Sequence, residues 1–133
     1  MTKIFVYGTL RKGGQGRSFE GEFLGQDRIT GNLYDLGWYP GVREVRGIFD
    51  PEKPAIVGEI YEISEETFLS LDDYEGCGSD PTFPDTGLYY RKQVLTENNV
   101  PVWVYIYSQE IPEDYRILSG DWFNAKEETA KCA

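Results

Sequence analysis

The sequence predicts a small α+β fold made mostly of short strands. Glycine and proline recur along the whole length, which is typical of strands joined by tight turns. Only one internal segment has clear helical periodicity, and strands do not alternate regularly with helices as in parallel α/β folds. A closed or nearly closed barrel would suit many short strands, because closure removes exposed edges. At 133 residues, positions 1–133 are expected to form one domain.

Strands and one clear helix are predicted in chain order. Residues 3–7 open with a run that is apolar on both faces, which indicates a buried strand. Strands at 21–30 and 31–36 are followed by an aromatic loop at 36–41, and alternation predicts a strand at 55–63. Ser64 is a good N-cap for a helix that continues to Glu75 and ends near Gly76. A hairpin follows, with strands at 88–95 and 100–107, and then a turn region from Pro112 and a short last helix capped by 119–121.

Composition narrows the classes of function. The net charge of −10 disfavours binding to nucleic acid or to anionic membranes. No apolar run is long enough for a transmembrane helix and no signal-peptide pattern is present, so a cytoplasmic location is expected. Cys77 and Cys132 are expected to be free thiols. The complete absence of histidine excludes the usual Ser-His-Asp and Cys-His catalytic arrangements and argues against a metal site.

The first candidate site is the abrupt end of the first strand at Tyr7-Gly8-Thr9-Leu10. Glycine allows a sharp turn there, so that backbone amides point outward. Clusters of such amides bind anions and carbonyl oxygens.

The second candidate is a carboxylate on the apolar face of the predicted helix. Phe68, Leu71 and Glu75 are spaced i, i+3 and i+7 and therefore share one face, whereas Asp72 and Asp73 project elsewhere. A partly buried carboxyl group suits general acid/base catalysis. The alternative is that Glu75 is an ordinary solvated residue at a fraying helix end.

These two segments, in this order, resemble the gamma-glutamylcyclotransferase-like family, of the small gamma-glutamylamine cyclotransferase type. The resemblance covers nearly the whole chain and includes further segments at 31–37, 39–41, 57–61, 89–91, 103–107 and 120–122. It implies a small mixed β-barrel with flanking helices. It also implies an enzyme of the lyase/acyltransferase class that converts gamma-glutamyl amines, amino acids or peptides into 5-oxoproline and a free amine. By the same resemblance, Tyr7 to Leu10 form the substrate-binding loop, Glu75 is the acid/base, and no cofactor or metal is needed.

The residues present suit that chemistry. The substrate's own amine attacks its side-chain carbonyl, so the protein need only orient the chain, move a proton and stabilise an oxyanion. The Tyr7–Leu10 amides could bind either the oxyanion or the substrate carboxylate. Further pocket candidates are Tyr39, Tyr89, Tyr107 and Arg91. Arg91 could equally be an outward strand residue in a structural ion pair.

Two other classes of function are consistent with the sequence. A non-catalytic domain of the same fold could bind a small amino-acid-like ligand. A partner-binding barrel would require a large exposed apolar patch. The oligomeric state and the leaving amine are not encoded in any pattern that we identify.

Overall fold

The computed structural model describes residues 2–8, 21–36, 40–74 and 89–122, and the bounds of its elements are as follows. The strands are β1 (Thr2–Val6), β2 (Glu22–Thr30), β3 (Asn32–Asp35), β4 (Pro40–Arg43), β5 (Ala55–Ile63), β6 (Tyr89–Leu95), β7 (Pro101–Tyr107) and β8 (Arg116–Ile117). The helix α1 is Glu65–Tyr74, and a 3-10 helix spans Glu113–Tyr115. The fold is therefore mixed α+β and consists mostly of strands, as predicted.

The described strands form two sheets. The larger sheet has the order β2-β5-β1-β7-β6 and the smaller one has the order β4-β3-β8. Within the larger sheet β1 lies between β5, to which it is antiparallel, and β7, to which it is parallel. The central strand β1 therefore runs in the same direction as β7, and the two strands end at the same end of the sheet.

Alternate residues of β1 pack on opposite faces of the larger sheet. Ile4 and Val6 face α1, where they share one apolar cluster with Phe68 and Leu71. Phe5 belongs to the main core on the other face, together with residues of β2 to β7. Since all three β1 side chains are almost completely inaccessible to solvent, the expectation of a strand buried on both faces is confirmed.

The two edges of the larger sheet approach each other at the β6–β7 turn. The amide of Glu97 donates to the carbonyl oxygen of Arg28 in β2 at 2.9 Å, and the side chains of these two residues form an ion pair. The amide of Leu95 also donates to the carbonyl of Gly47. The ladders nevertheless form two separate sheets among the described residues, so closure into a barrel stays a prediction.

Most element boundaries agree with the sequence. The strand at 55–63 is confirmed residue for residue, and the hairpin of β6 and β7 is confirmed. The N-cap of α1 is confirmed as well, because Ser64 Oγ accepts a hydrogen bond from the amide of Thr67. The last residues of the predicted helix, both cysteines and most of the predicted final helix lie outside the described residues. No helix in the described part of the chain is long and apolar enough to span a membrane.

Two strands correct the sequence-based assignment. Pro40 and Gly41, predicted as loop, begin β4 and pair with Asp35 and Tyr34. Proline is tolerated there because β4 is at the edge of its sheet, where a missing N–H breaks no ladder. The two-residue strand β8 was also missed, because its pairing with β3 brings together residues distant in sequence.

Gly58 allows β5 to pack against β1 without a gap. A Cβ atom at this position would lie 2.5 Å from the Val6 carbonyl oxygen and 2.6 Å from Phe5 Cε1. Neither atom can move away easily, because both belong to the buried central strand.

We therefore predict that Gly58→Ala lowers the free energy of unfolding by about 1–3 kcal/mol, as overpacking of a core usually does. Urea denaturation would show a lower midpoint with an unchanged slope. Gly47→Ala is the control, since a Cβ atom there would meet nothing within 4 Å beyond its chain neighbours, and it should change stability by less than about 0.5 kcal/mol. Equal stability of the two variants would contradict the prediction.

Candidate active site

The turn after β1 is attached to β7 through Tyr7. Its side chain is only 7% exposed, and its hydroxyl donates a hydrogen bond to the carbonyl oxygen of Tyr105 at 2.6 Å. Because this carbonyl belongs to the neighbouring parallel strand, the bond fixes the point at which the chain leaves the sheet. The predicted loop residue Tyr7 thus holds the turn in place.

Gly8 brings the same turn into close contact with β4. A Cβ atom at Gly8 would overlap the ring of Pro40 and would lie 2.7 Å from Pro40 Cδ. Only glycine fits between the turn and this proline. Thr9 and Leu10, the remaining residues of the predicted substrate loop, lie outside the described residues.

Two of the predicted pocket tyrosines lie beside this turn. Tyr89 and Tyr107 are cross-strand partners whose ring centroids are 5.4 Å apart in an edge-to-face arrangement. The hydroxyl of Tyr89 donates to the carbonyl oxygen of Pro40 at 2.8 Å. Arg43 in turn donates to the carbonyl of Tyr107 at 3.1 Å, so β4 is attached to both strands of the hairpin.

The structure thus brings together four of the residues predicted from sequence. Tyr7, Gly8, Tyr89 and Tyr107 meet where β1 and β7 end and where β6 begins, and Pro40 connects them. Tyr39 and Glu75, two other predicted site residues, lie outside the described residues.

Helix α1 runs along β1 toward this same end of the sheet. Ile63, just before the helix, pairs with Thr2, and Phe68 packs on Trp103, the partner of Ile4, with ring centroids 5.9 Å apart. The helix advances about 9 Å from Phe68 to its last residue at 1.5 Å per residue, which equals about three residues of a strand. The end of α1 therefore lies at about the level at which β1 ends.

The apolar stripe of the helix is confirmed in its first two members. Phe68 is 3% exposed and Leu71 is fully buried, and both belong to the cluster that contains Ile4 and Val6. Leu69, on the opposite side of the helix, is 60% exposed. The face that Phe68 and Leu71 define therefore points at the sheet, as the periodicity predicts.

Arg91 lies on the same face of the sheet, further from the turn. Its guanidinium carbon is 4.0 Å from the ring centroid of Phe68 and 5.1 Å from that of Trp103. The side chain is thus stacked on aromatic rings between the sheet and α1, an arrangement that sequence reasoning did not foresee. A contact with a substrate carboxylate stays a prediction.

A buried carboxylate that the sequence analysis missed lies next to the end of β1. Glu59 is the cross-strand partner of Val6 and is only 8% exposed. It accepts a hydrogen bond from the hydroxyl of Tyr61 at 3.2 Å. Strand alternation could have indicated it, since Glu59 shares the α1-facing side of β5 with Ile63. Within the described ranges, no group of three or more acidic or cysteine side chains is arranged to hold a metal ion.

Known proteins share both the sequence pattern and the fold. The family described as "Gamma-glutamyl cyclotransferase, AIG2-like" matches residues 4–124. A Vibrio cholerae protein named "Putative gamma-glutamylcyclotransferase" is 32% identical over 123 residues, which are 90% of this chain and 93% of that protein. The gamma-L-glutamyl-butirosin B gamma-glutamyl cyclotransferase of Niallia circulans is 38% identical over 79 residues, 56% of this chain and 46% of that enzyme.

The fold comparison agrees. The crystal structure of an AIG2-like protein from Mus musculus superposes with a TM-score of 0.69 at 25% identity, covering 92% of this chain and 88% of that one. The family match spans both the turn after β1 and the whole of α1. The chain therefore belongs to the AIG2-like gamma-glutamyl cyclotransferase family.

Proposed function

We propose that the protein is a cyclotransferase that releases 5-oxoproline and a free amine from a gamma-glutamyl amine, amino acid or peptide. The observation that carries the proposal is that α1 runs along β1 toward the end of the sheet at which the Tyr7–Gly8 turn lies. Family membership supplies the reaction type. In this reaction the alpha-amine of the substrate attacks its own gamma-carbonyl, so that one C–N bond forms and the bond to the leaving amine breaks. The proposed enzyme class is lyase/acyltransferase.

The turn after β1 is proposed to bind the substrate through the amides of Gly8, Thr9 and Leu10. Two contacts hold the start of this turn in place, the hydrogen bond from Tyr7 to β7 and the close packing of Gly8 on Pro40. Donors that are fixed before the substrate arrives need no reorganisation when charge develops on the oxyanion. The same donors could hold the substrate carboxylate, and the paired rings of Tyr89 and Tyr107 would then form a wall of the pocket.

Glu75 is proposed as the acid/base. It directly follows Tyr74, the last residue of α1, and α1 ends at about the level of the turn. A single carboxylate can take the proton from the attacking ammonium and deliver it to the leaving nitrogen. Because the substrate supplies the nucleophile, no serine, cysteine or histidine is required, and none of these roles needs a cofactor.

The extent of the domain and its closure are part of the proposal. The contacts of Glu97 with Arg28 support a barrel in which β6 approaches β2, and the family match from residue 4 to 124 supports a single domain over 1–133.

The direct test is to incubate the protein with gamma-glutamyl amines, gamma-glutamyl amino acids, glutathione and gamma-L-glutamyl-butirosin B, and to assay 5-oxoproline. The last compound is included because the Niallia circulans relative is named for it. Formation of 5-oxoproline from at least one compound is expected. Saturable binding of these compounds without any 5-oxoproline would instead identify a non-catalytic binding domain.

We predict that Glu75→Gln lowers turnover by on the order of a hundredfold to ten-thousandfold, because the amide cannot accept and return a proton. Ligand binding, measured by calorimetry, should change little, since the side chains have nearly the same size. Asp72→Asn and Asp73→Asn are matched controls from the same helix and should retain most activity. Full turnover by Glu75→Gln would exclude the acid/base role.

We also predict that Gly8→Ala lowers kcat/KM by on the order of tenfold to a hundredfold. The added Cβ overlaps Pro40, so the turn must shift, and displacements of about 1 Å have effects of this size. Circular dichroism at the assay temperature would verify that the variant is folded, and Gly47→Ala serves as the control. Wild-type kinetics in folded Gly8→Ala would show that the turn does not bind the substrate.

A further inference from the structure

We propose that Arg91 is a positioning residue, whose guanidinium fixes α1 against the hairpin of β6 and β7. The catalytic consequence of this proposal rests on the proposed function, whereas its structural part does not. The sequence alone offered a substrate carboxylate or a structural ion pair as the partner of Arg91. Beyond these two alternatives, the structure shows this side chain over two aromatic rings from two different elements.

The stack joins three elements at one point. Arg91 comes from β6, Trp103 from β7 and Phe68 from α1. The guanidinium lies 4.0 Å from the Phe68 centroid and 5.1 Å from the Trp103 centroid, and the two rings are themselves in contact. The strands β6 and β7 are already joined by their own hydrogen-bond ladder. The additional attachment that this stack provides is therefore the one between helix α1 and the sheet.

The surroundings strengthen the interaction. Phe68 is buried, and Arg91 and Trp103 are half-buried, so the guanidinium is partly removed from water. Cation–π attraction increases as the cation is desolvated. A planar guanidinium can also lie flat on a ring, which the ammonium group of lysine cannot do.

Phe68 is one of the two side chains that bury the described part of α1 against the sheet. Of the α1 side chains that the structure describes, Phe68 and Leu71 are the buried ones. Leu71 is three residues before Tyr74, the last residue of α1, and Phe68 is about one turn earlier, so together they set the direction of the axis. Loosening Phe68 would allow the end of α1 to move relative to the Tyr7–Gly8 turn, and small displacements at such a point lower turnover strongly.

Hydrogen exchange followed by mass spectrometry tests the structural part without any substrate. In Arg91→Met, amides of the 65–74 segment should exchange about two- to thirtyfold faster, the range that corresponds to a lost cation–π contact. Amides of β5 and β7 should be unaffected. Lys92→Met is the matched control, because it removes the same charge from the next position on β6, where the side chain is exposed and on the opposite face.

Two exchange results would overturn the proposal. One is unchanged exchange in α1, and the other is equal acceleration in all segments, which would mean that Arg91 supports overall stability and not the helix in particular. If Arg91→Met does not fold, Arg91→Lys is measured in the same way and should give a smaller acceleration confined to α1.

Kinetics then separate positioning from substrate binding. Arg91→Met should lower kcat and leave KM within about twofold, and Arg91→Lys should recover part of kcat. A raised KM with unchanged kcat would overturn the proposal and identify Arg91 as a substrate contact. If the wild-type protein forms no 5-oxoproline from any substrate, the proposed function fails, while the exchange experiment still decides whether Arg91 positions α1.

Discussion

The strand β1 is buried on both faces and paired along both edges, and these constraints fix the elements packed around it and the turn that follows it. Its alternate side chains enter two different apolar clusters, one shared with α1 and one with the main core. A strand constrained on four sides cannot slip in register without turning its apolar residues toward the wrong cluster. The position of its last residue is therefore fixed, and with it the position of the turn that follows.

The geometry around that turn depends on the absence of side chains at two glycines as much as on hydrogen bonds. Gly8 has no room for a side chain beside Pro40, and Gly58 has none beside Phe5. Around these close approaches, tyrosine hydroxyls donate to backbone carbonyls of neighbouring strands. These hydroxyls fix the main chain around the turn, and direct contact of the tyrosines with a substrate stays a prediction.

Local signals were sufficient for elements whose structure depends on nearby residues. The Ser64 cap and the i, i+3 spacing of Phe68 and Leu71 defined the start and the buried face of α1, and alternation defined β5 completely. Local signals did not predict the two strands whose pairing decides their structure. The strand β4 begins with a proline that is acceptable only at a sheet edge, and β8 has only two residues, too few for a recognisable pattern. The stacking of Arg91 depends on how α1 packs on the sheet, and no local pattern contains that information. The burial of Glu59 was missed although strand alternation places it on the same face as Ile63.

The parallel pairing of β1 with β7 has a consequence for how the molecule acquires its structure. Ile4 and its partner Trp103 are separated by about 100 residues of chain, and β1 and β5 by about 50. Contacts so distant in sequence close late and slow folding, because the entropy of a long loop must be lost before any pairing energy is gained. During synthesis, β1 therefore cannot pair along the edge that faces β7 until β7 has left the ribosome. The turn at Gly8 reaches its final geometry only when nearly all of the described chain has been made.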